Sequence, residues 1–144
     1  MHIGKSRGAL CGAALSALCF GLFGASQAGA AEKVDFTSQI QPILKESCIK
    51  CHSLDNPRHQ AAAGLRLDSR ENALKGGKNG KDKDIIPGNG ADSVLVKLLH
   101  GDQRINGHKI DGMPKAMRGK PFKPLAGAQI DLLKDWIDQG AHWD

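Results

Sequence analysis

The sequence contains no tyrosine, and aromatic residues make up only 4% of it. From residue 31 onward the aromatics are Phe36, Phe122, Trp136 and Trp143, a sparse set for building an apolar core. A buried flat cofactor would supply the missing core. Cysteine is equally sparse: Cys11 and Cys19 lie near the N-terminus, and Cys48 and Cys51 are the remaining two. After Ala25 no apolar run is long enough for a membrane span, which needs about 18 or more such residues. No segment shows convincing period-two alternation, so strands are not expected. Charge of one sign is not concentrated either. Once Lys5 and Arg7 are set aside from the 20 basic residues, 18 remain against 15 acidic ones, an excess too small to imply a nucleic-acid partner.

The first thirty residues have the pattern of an export signal. His2, Lys5 and Arg7 form a basic start, Ala9 to Ala25 is small and apolar, and Ala28-Gly29-Ala30 fits a small-residue cleavage site before Ala31. Leu10 and Leu18 precede Cys11 and Cys19, where a lipoprotein signal would carry a small residue. Residues 1–30 are therefore expected to be a signal peptide and 31–144 an exported, periplasmic domain with no integral membrane segment.

Cys48-Ile49-Lys50-Cys51-His52 is a CxxCH pentapeptide. Two thiols at this spacing can form thioethers with the two vinyl groups of one haem, and the adjoining imidazole is placed to ligate its iron. A disulfide across two intervening residues closes a very short loop and leaves His52 unexplained. Zinc needs about four ligands at recognisable spacing, whereas His59, His100, His108 and His142 are scattered. A single CxxCH also excludes a two-haem peroxidase.

Apolar spacing predicts four short helices. The first carries Val34, Phe36, Ile40, Ile43 and Leu44 behind Asp35 or Thr37, with Pro42 tolerated in an early turn. Asp68 and Glu71 resemble a capping box for a brief helix through Leu74, stopped by Gly76-Gly77. Asp92 or Ser93 would cap a third helix with Val94, Leu95, Leu98 and Leu99, ending near Gly101. The last, about 128–139, places Ile130, Leu133 and Ile137 on one face beside Leu132 and Trp136, with Gly140 at its stop. The glycine-rich stretch 76–90 fails the phosphate-loop spacing at Lys75 and Asp82. Its Lys78, Asn79, Lys81, Asp82, Lys83 and Asp84 suggest a flexible surface loop.

His52 fills one axial position, and a methionine thioether commonly fills the other in electron-transfer haems. Met113 and Met117 are the candidates. Asp111-Gly112-Met113-Pro114 favours Met113, because glycine permits close backbone approach and proline stiffens the chain behind the ligand. His100 and His108 are the rivals and would give a bis-histidine iron. Lys115, Arg118, Lys120 and Lys123 follow Met113 with no intervening acid, a candidate rim for an acidic redox partner or simply a solvated loop.

CxxCH, Gly64-Leu65-Arg66-Leu67-Asp68-Ser69-Arg70, Leu74-Lys75-Gly76-Gly77, Ile86-Pro87-Gly88, Ser93-Val94-Leu95, Met113-Pro114 and Leu133-Lys134-Asp135-Trp136-Ile137-Asp138-Gln139-Gly140-Ala141-His142-Trp143 occur in that order. The set resembles the planctomycete-type cytochrome c domain and covers nearly all of 31–144. The resemblance implies a class I cytochrome c-like all-α fold, short helices and long loops around one covalent haem c, with His52 and Met113 as the axial pair. The chain departs from the pattern at Lys115, where a second proline is frequent, and in its longer glycine loop. The expectation is an exported monohaem electron carrier, monomeric and not an enzyme, working with redox protein partners. The alternatives are a haem-bearing module of a larger dehydrogenase or surface system, or a haem protein with an open or bis-histidine sixth position.

Overall fold

A computed structural model describes residues 32–56, 58–116 and 123–144. Segment 1–30, expected to be a signal peptide, and Met117, Arg118, Lys120 and Phe122 lie outside the described residues.

The first helical stretch has two parts. Phe36–Ile40 is a π-helical turn and Gln41–Ser47 is α1. Asp35 caps the start by accepting from the Ser38 amide at 2.6 Å. Pro42 sits at the beginning of α1, where its missing N–H costs least. α2 is Arg70–Lys75, and its cap is Ser69 rather than Asp68. Asp68 is engaged instead by Arg66 at 2.8 Å and by Asn72 at 3.2 Å. α3 is Val94–Leu99, preceded by Ser93, whose hydroxyl accepts from Ile86 N–H and donates to Asn89 O instead of capping the helix. α4 is Gly127–Asp138, with Gln129 reaching back to accept from the Ala126 amide at 3.0 Å.

The all-α expectation is wrong in one place. Between α3 and α4 lies an antiparallel hairpin, β1 (Gln103–Ile105) paired with β2 (His108–Ile110) in the register Gln103↔Ile110, Arg104↔Lys109, Ile105↔His108. Asn106 (φ 50°) and Gly107 (φ 82°) form its two-residue turn. An Asn-Gly pair with both φ positive gives a turn whose twist matches that of paired strands. The domain is thus a mixed structure of short helices, one small sheet and long connections.

The core lies where the N- and C-terminal elements meet. Phe36, Ile40, Ile43 and Leu44 pack with Ile130, Leu133, Trp136 and Ile137, joined by Leu67, Ala73, Ile85 and Val96. Three of the few aromatics gather here: the Phe36 and Trp136 rings are 5.8 Å apart, Phe36 and Trp143 4.5 Å, and Trp136 and Trp143 5.1 Å edge to face. Trp136 Nε1 donates to His142 O at 2.7 Å, so the buried indole leaves no polar group unsatisfied. Gln139 fastens the two ends of the domain, accepting from Val34 N–H at 2.8 Å and donating to Glu32 O at 3.0 Å.

The glycine-rich stretch is more ordered than its composition suggests. Lys78, Lys81, Asp82 and Lys83 are exposed, but Asp84 is buried. Its carboxylate accepts from Gly77 N–H at 2.6 Å, and its backbone oxygen accepts from Leu95 N–H at 3.0 Å. Gly76 must be glycine: its φ is 68°, and a Cβ would lie 1.6 Å from Lys81 O.

Candidate haem site

α1 delivers the chain into the CxxCH turn. Leu44 O accepts from both Cys48 N–H and Ile49 N–H at 2.9 Å, and Cys48 O accepts from Cys51 at 3.0 Å and from His52 at 2.9 Å. The helix thereby tightens into a turn that presents both cysteines and the histidine together. Residues 61–67 hold this turn from the other side: Ala62 N–H donates to Cys51 O and Leu67 N–H to His52 O, both at 2.8 Å.

The decisive contact belongs to the His52 ring. Nδ1 lies 3.1 Å from Leu65 O. A carbonyl can only accept, so this contact assigns the ring proton to Nδ1 and leaves the lone pair on Nε2. Burial holds the imidazole below its ordinary pKa, although the Leu65 bond and the charge of Asp84 pull the other way. A neutral ring with a free Nε2 is the form that ligates a metal. Burial likewise pushes the Cys48 thiol up to about 11, with Cys51 adding to the effect. Both cysteines are free thiols, Cys48 half-buried and Cys51 exposed.

Met113 is held elsewhere. Its N–H donates to Leu98 O at 2.8 Å, and the preceding Gly112 N–H donates to Asp102 Oδ1 at 2.9 Å. Met113 borders a cavity of about 510 Å³ with Leu99, His100, Pro114, Ala116 and Pro124 among its other walls. That volume is in the range of small-molecule sites. Cys48, Cys51 and His52 do not line this cavity, but Cys48, Leu65 and Leu99 all pack half-buried against the same core. Of the rival histidines, exposed His100 lines the cavity, whereas His108 is exposed on β2.

Sequence reasoning missed Leu65, Asp84 and Asp102. Leu65 acts through a backbone oxygen, which no residue type advertises. Asp84 stands in an alternating Lys-Asp run that looks solvated, and Asp102 stands outside every motif. The basic run also changes character in space. Lys115 pairs with Asp111 at 2.7 Å and Lys123 with Glu46 at 3.1 Å, so its two described lysines are partly neutralised.

A CxxCH turn and a neutral imidazole with one nitrogen free suit haem, whereas Met113 borders a cavity that these residues do not line. Among the described residues no three His, Cys, Asp or Glu side chains gather to hold a bare metal ion, and no buried side-chain polar atom lacks a partner. Cys48, Cys51 and a neutral His52 with Nε2 free are the side chains that would hold a covalently attached haem.

Its family follows from comparison. Residues 48–106 match the family model described as Planctomycete cytochrome C, so this segment is a haem-binding cytochrome c domain of the planctomycete type. The hydrazine synthase subunit alpha of Kuenenia stuttgartiensis is 32% identical over 126 residues, covering 77% of this chain. The chain spans only 16% of that protein's length. No solved structure matches significantly.

Proposed function

We propose that the chain is an exported monohaem c-type cytochrome that passes single electrons between redox proteins, with His52 and Met113 as axial ligands. The observation that carries this reading is the His52 Nδ1 contact with Leu65 O, which holds the ring proton on Nδ1 and leaves the Nε2 lone pair for a metal. Cys48 and Cys51 would each add S–H across a vinyl group, sulfur to one carbon and hydrogen to the other. When bound, haem supplies the one-electron couple, while the protein supplies orientation and electrostatics. Met113, a soft neutral donor, favours Fe(II) and raises the potential. The proposed carrier is exported, periplasmic and monomeric; no helix among the described residues is long and apolar enough to cross a membrane. An acidic redox partner remains part of the proposal, with Arg118 and Lys120 carrying the charge that Lys115 and Lys123 share with Asp111 and Glu46.

A second reading has an observation of its own: the similarity to part of a much longer enzyme subunit favours a haem-bearing module of a larger oxidoreductase. Spectra of the purified, exported protein separate the two. A carrier shows the weak near-infrared sulfur-to-iron band when oxidised, and loses it in Met113→Ala but not in Met117→Ala. A protein without the band that binds cyanide readily has an open site, as expected of an enzyme module, and one with a bis-histidine spectrum would point to His100. Haem retained on a denaturing gel by the Cys48→Ser/Cys51→Ser double variant would overturn the attachment assignment.

A further inference from the structure

The hairpin β1–β2 has no place in the attachment chemistry, yet it leads directly to Met113. The chain leaves α3 at Gly101 (φ 121°), runs out and back, and reaches Gly112 and Met113 beside its own starting point. Two consecutive amides are fixed there: Gly112 N–H by Asp102 Oδ1 at 2.9 Å and Met113 N–H by Leu98 O at 2.8 Å. The backbones meet so closely that a Cβ on Gly112 would lie 2.8 Å from Gly101 Cα. The other Asp102 oxygen pairs with Lys109 at 2.8 Å, tying the base of the loop to β2. A carboxylate has two acceptor oxygens, and here each is used on a different part of the same loop.

We infer that Asp102 is a positioning residue for the sixth ligand, a latch that closes the 101–112 hairpin and fixes the backbone from which Met113 projects. The inference rests on the reading of Met113 as an iron ligand. Asp102 need not touch the thioether. Its carboxylate removes freedom from the residue before Met113, so less entropy is lost when the sulfur binds and exogenous ligands compete less well. The hydrogen bond to Gly112 is the essential part, because the exposed ion pair with Lys109 is of the kind that contributes little.

The test uses the haem-loaded protein and three variants. Asp102→Ala removes both interactions, Asp102→Asn keeps an oxygen acceptor for Gly112, and Lys109→Met removes only the ion pair. Absorbance titration with imidazole should show roughly three- to tenfold tighter binding for Asp102→Ala, the scale of one net hydrogen bond. The near-infrared band should weaken in parallel. Asp102→Asn and Lys109→Met should stay within about twofold of the unmodified protein, because exposed ion pairs are weak. Unchanged imidazole binding in Asp102→Ala, or an equal change in Lys109→Met, would overturn the latch. If the unmodified protein lacks the band, the Met113 reading fails instead. Hydrogen exchange at the Gly112 and Met113 amides then still decides the latch: faster exchange in Asp102→Ala alone supports it, and unchanged exchange refutes it.

Discussion

Replacing Trp136 by alanine tests whether the meeting of the chain's two ends holds the haem turn in place. Trp136 is 1% exposed, packs against Phe36 and Trp143, and donates to His142 O at 2.7 Å. Truncating a buried tryptophan costs about 3–5 kcal/mol. The loss falls toward the upper part of that range because the His142 carbonyl also loses its partner, worth about 1 kcal/mol. Trp136→Phe keeps most of the packing and should cost about 1–2 kcal/mol, chiefly the N–H and the smaller ring. Against a total of about 5–15 kcal/mol for a small domain, the alanine change removes a large share. Urea unfolding of the haem-loaded chain, followed by far-ultraviolet circular dichroism, should show a midpoint lowered by roughly 2 M if the slope is about 2 kcal/mol/M. Because the π turn Phe36–Ile40 leads through α1 into Cys48, loosening Trp136 should also raise the susceptibility of His52 to displacement from iron. A loss below about 1 kcal/mol for Trp136→Ala, against the usual cost of a core cavity, would refute the reasoning. So would equal losses for alanine and phenylalanine.

In chain prepared without haem, iodoacetamide at pH 8 should label Cys51 well before Cys48, by roughly tenfold or more once the greater nucleophilicity of a high-pKa thiolate offsets part of its scarcity. The basis is a Cys48 thiol raised to about 11, and peptide mapping showing equal rates would contradict it. Asp138 should contribute to acid stability, because Lys134 and then Gly90 N–H hold its carboxyl below the ordinary 3.8. For a depressed carboxyl the stabilisation is complete above the unfolded value and drains away as pH falls through the folded one. The melting temperature should therefore fall less steeply below pH 4 in Asp138→Asn than in the unmodified protein, and parallel curves would exclude the contribution. Finally, Gly88→Ala should cost about 1–2 kcal/mol through its left-handed backbone alone, since nothing lies within 4 Å of the added methyl. Gly76→Ala should cost about 3 kcal/mol or more by adding a clash with Lys81 O to the same strain, and denaturant midpoints that rank the two equally would argue against the close approach.

The helices were legible because each buries a stripe with helical spacing. Ile130, Leu133 and Ile137 mark α4 within a residue of its observed ends, and Gly76 and Gly140 mark real stops with positive φ. The cap of α2 was misplaced by one residue because Asp68 and Ser69 are both good caps, and the choice depended on Arg66 being near enough to occupy Asp68. The hairpin was missed for a physical reason. Each strand has three residues, too few for alternation to register, and Gln103, Arg104, His108 and Lys109 are polar. Its one local signal was Asn106-Gly107, the turn pair that positive φ at both positions favours. In the site, CxxCH was readable because thioether chemistry requires side chains at fixed spacing. The acceptor that orients His52 was not, because Leu65 contributes a carbonyl and only the fold brings it within 3.1 Å. Asp84 was misread because burial depends on Gly77 and Leu95 folding over it.

The two ends of the proposed iron ligation are held by separate devices, and this makes them separable by experiment. Residues 61–67 fix His52 through the bonds of Ala62, Leu65 and Leu67 to the CxxCH turn. The end of α3 fixes Met113 through Leu98 and Asp102. Neither device bonds to the other, but both rest on one support: α4 contacts the π turn ahead of α1 on one side and α3 on the other. A change in α4 such as Trp136→Ala should therefore disturb histidine and methionine ligation together. A change at Asp102 should disturb methionine ligation alone, leaving the haem covalently attached and His52 in place. Opposite outcomes in that pair of variants would mean that the spacing between the ligands is set by the loops rather than by the helical core.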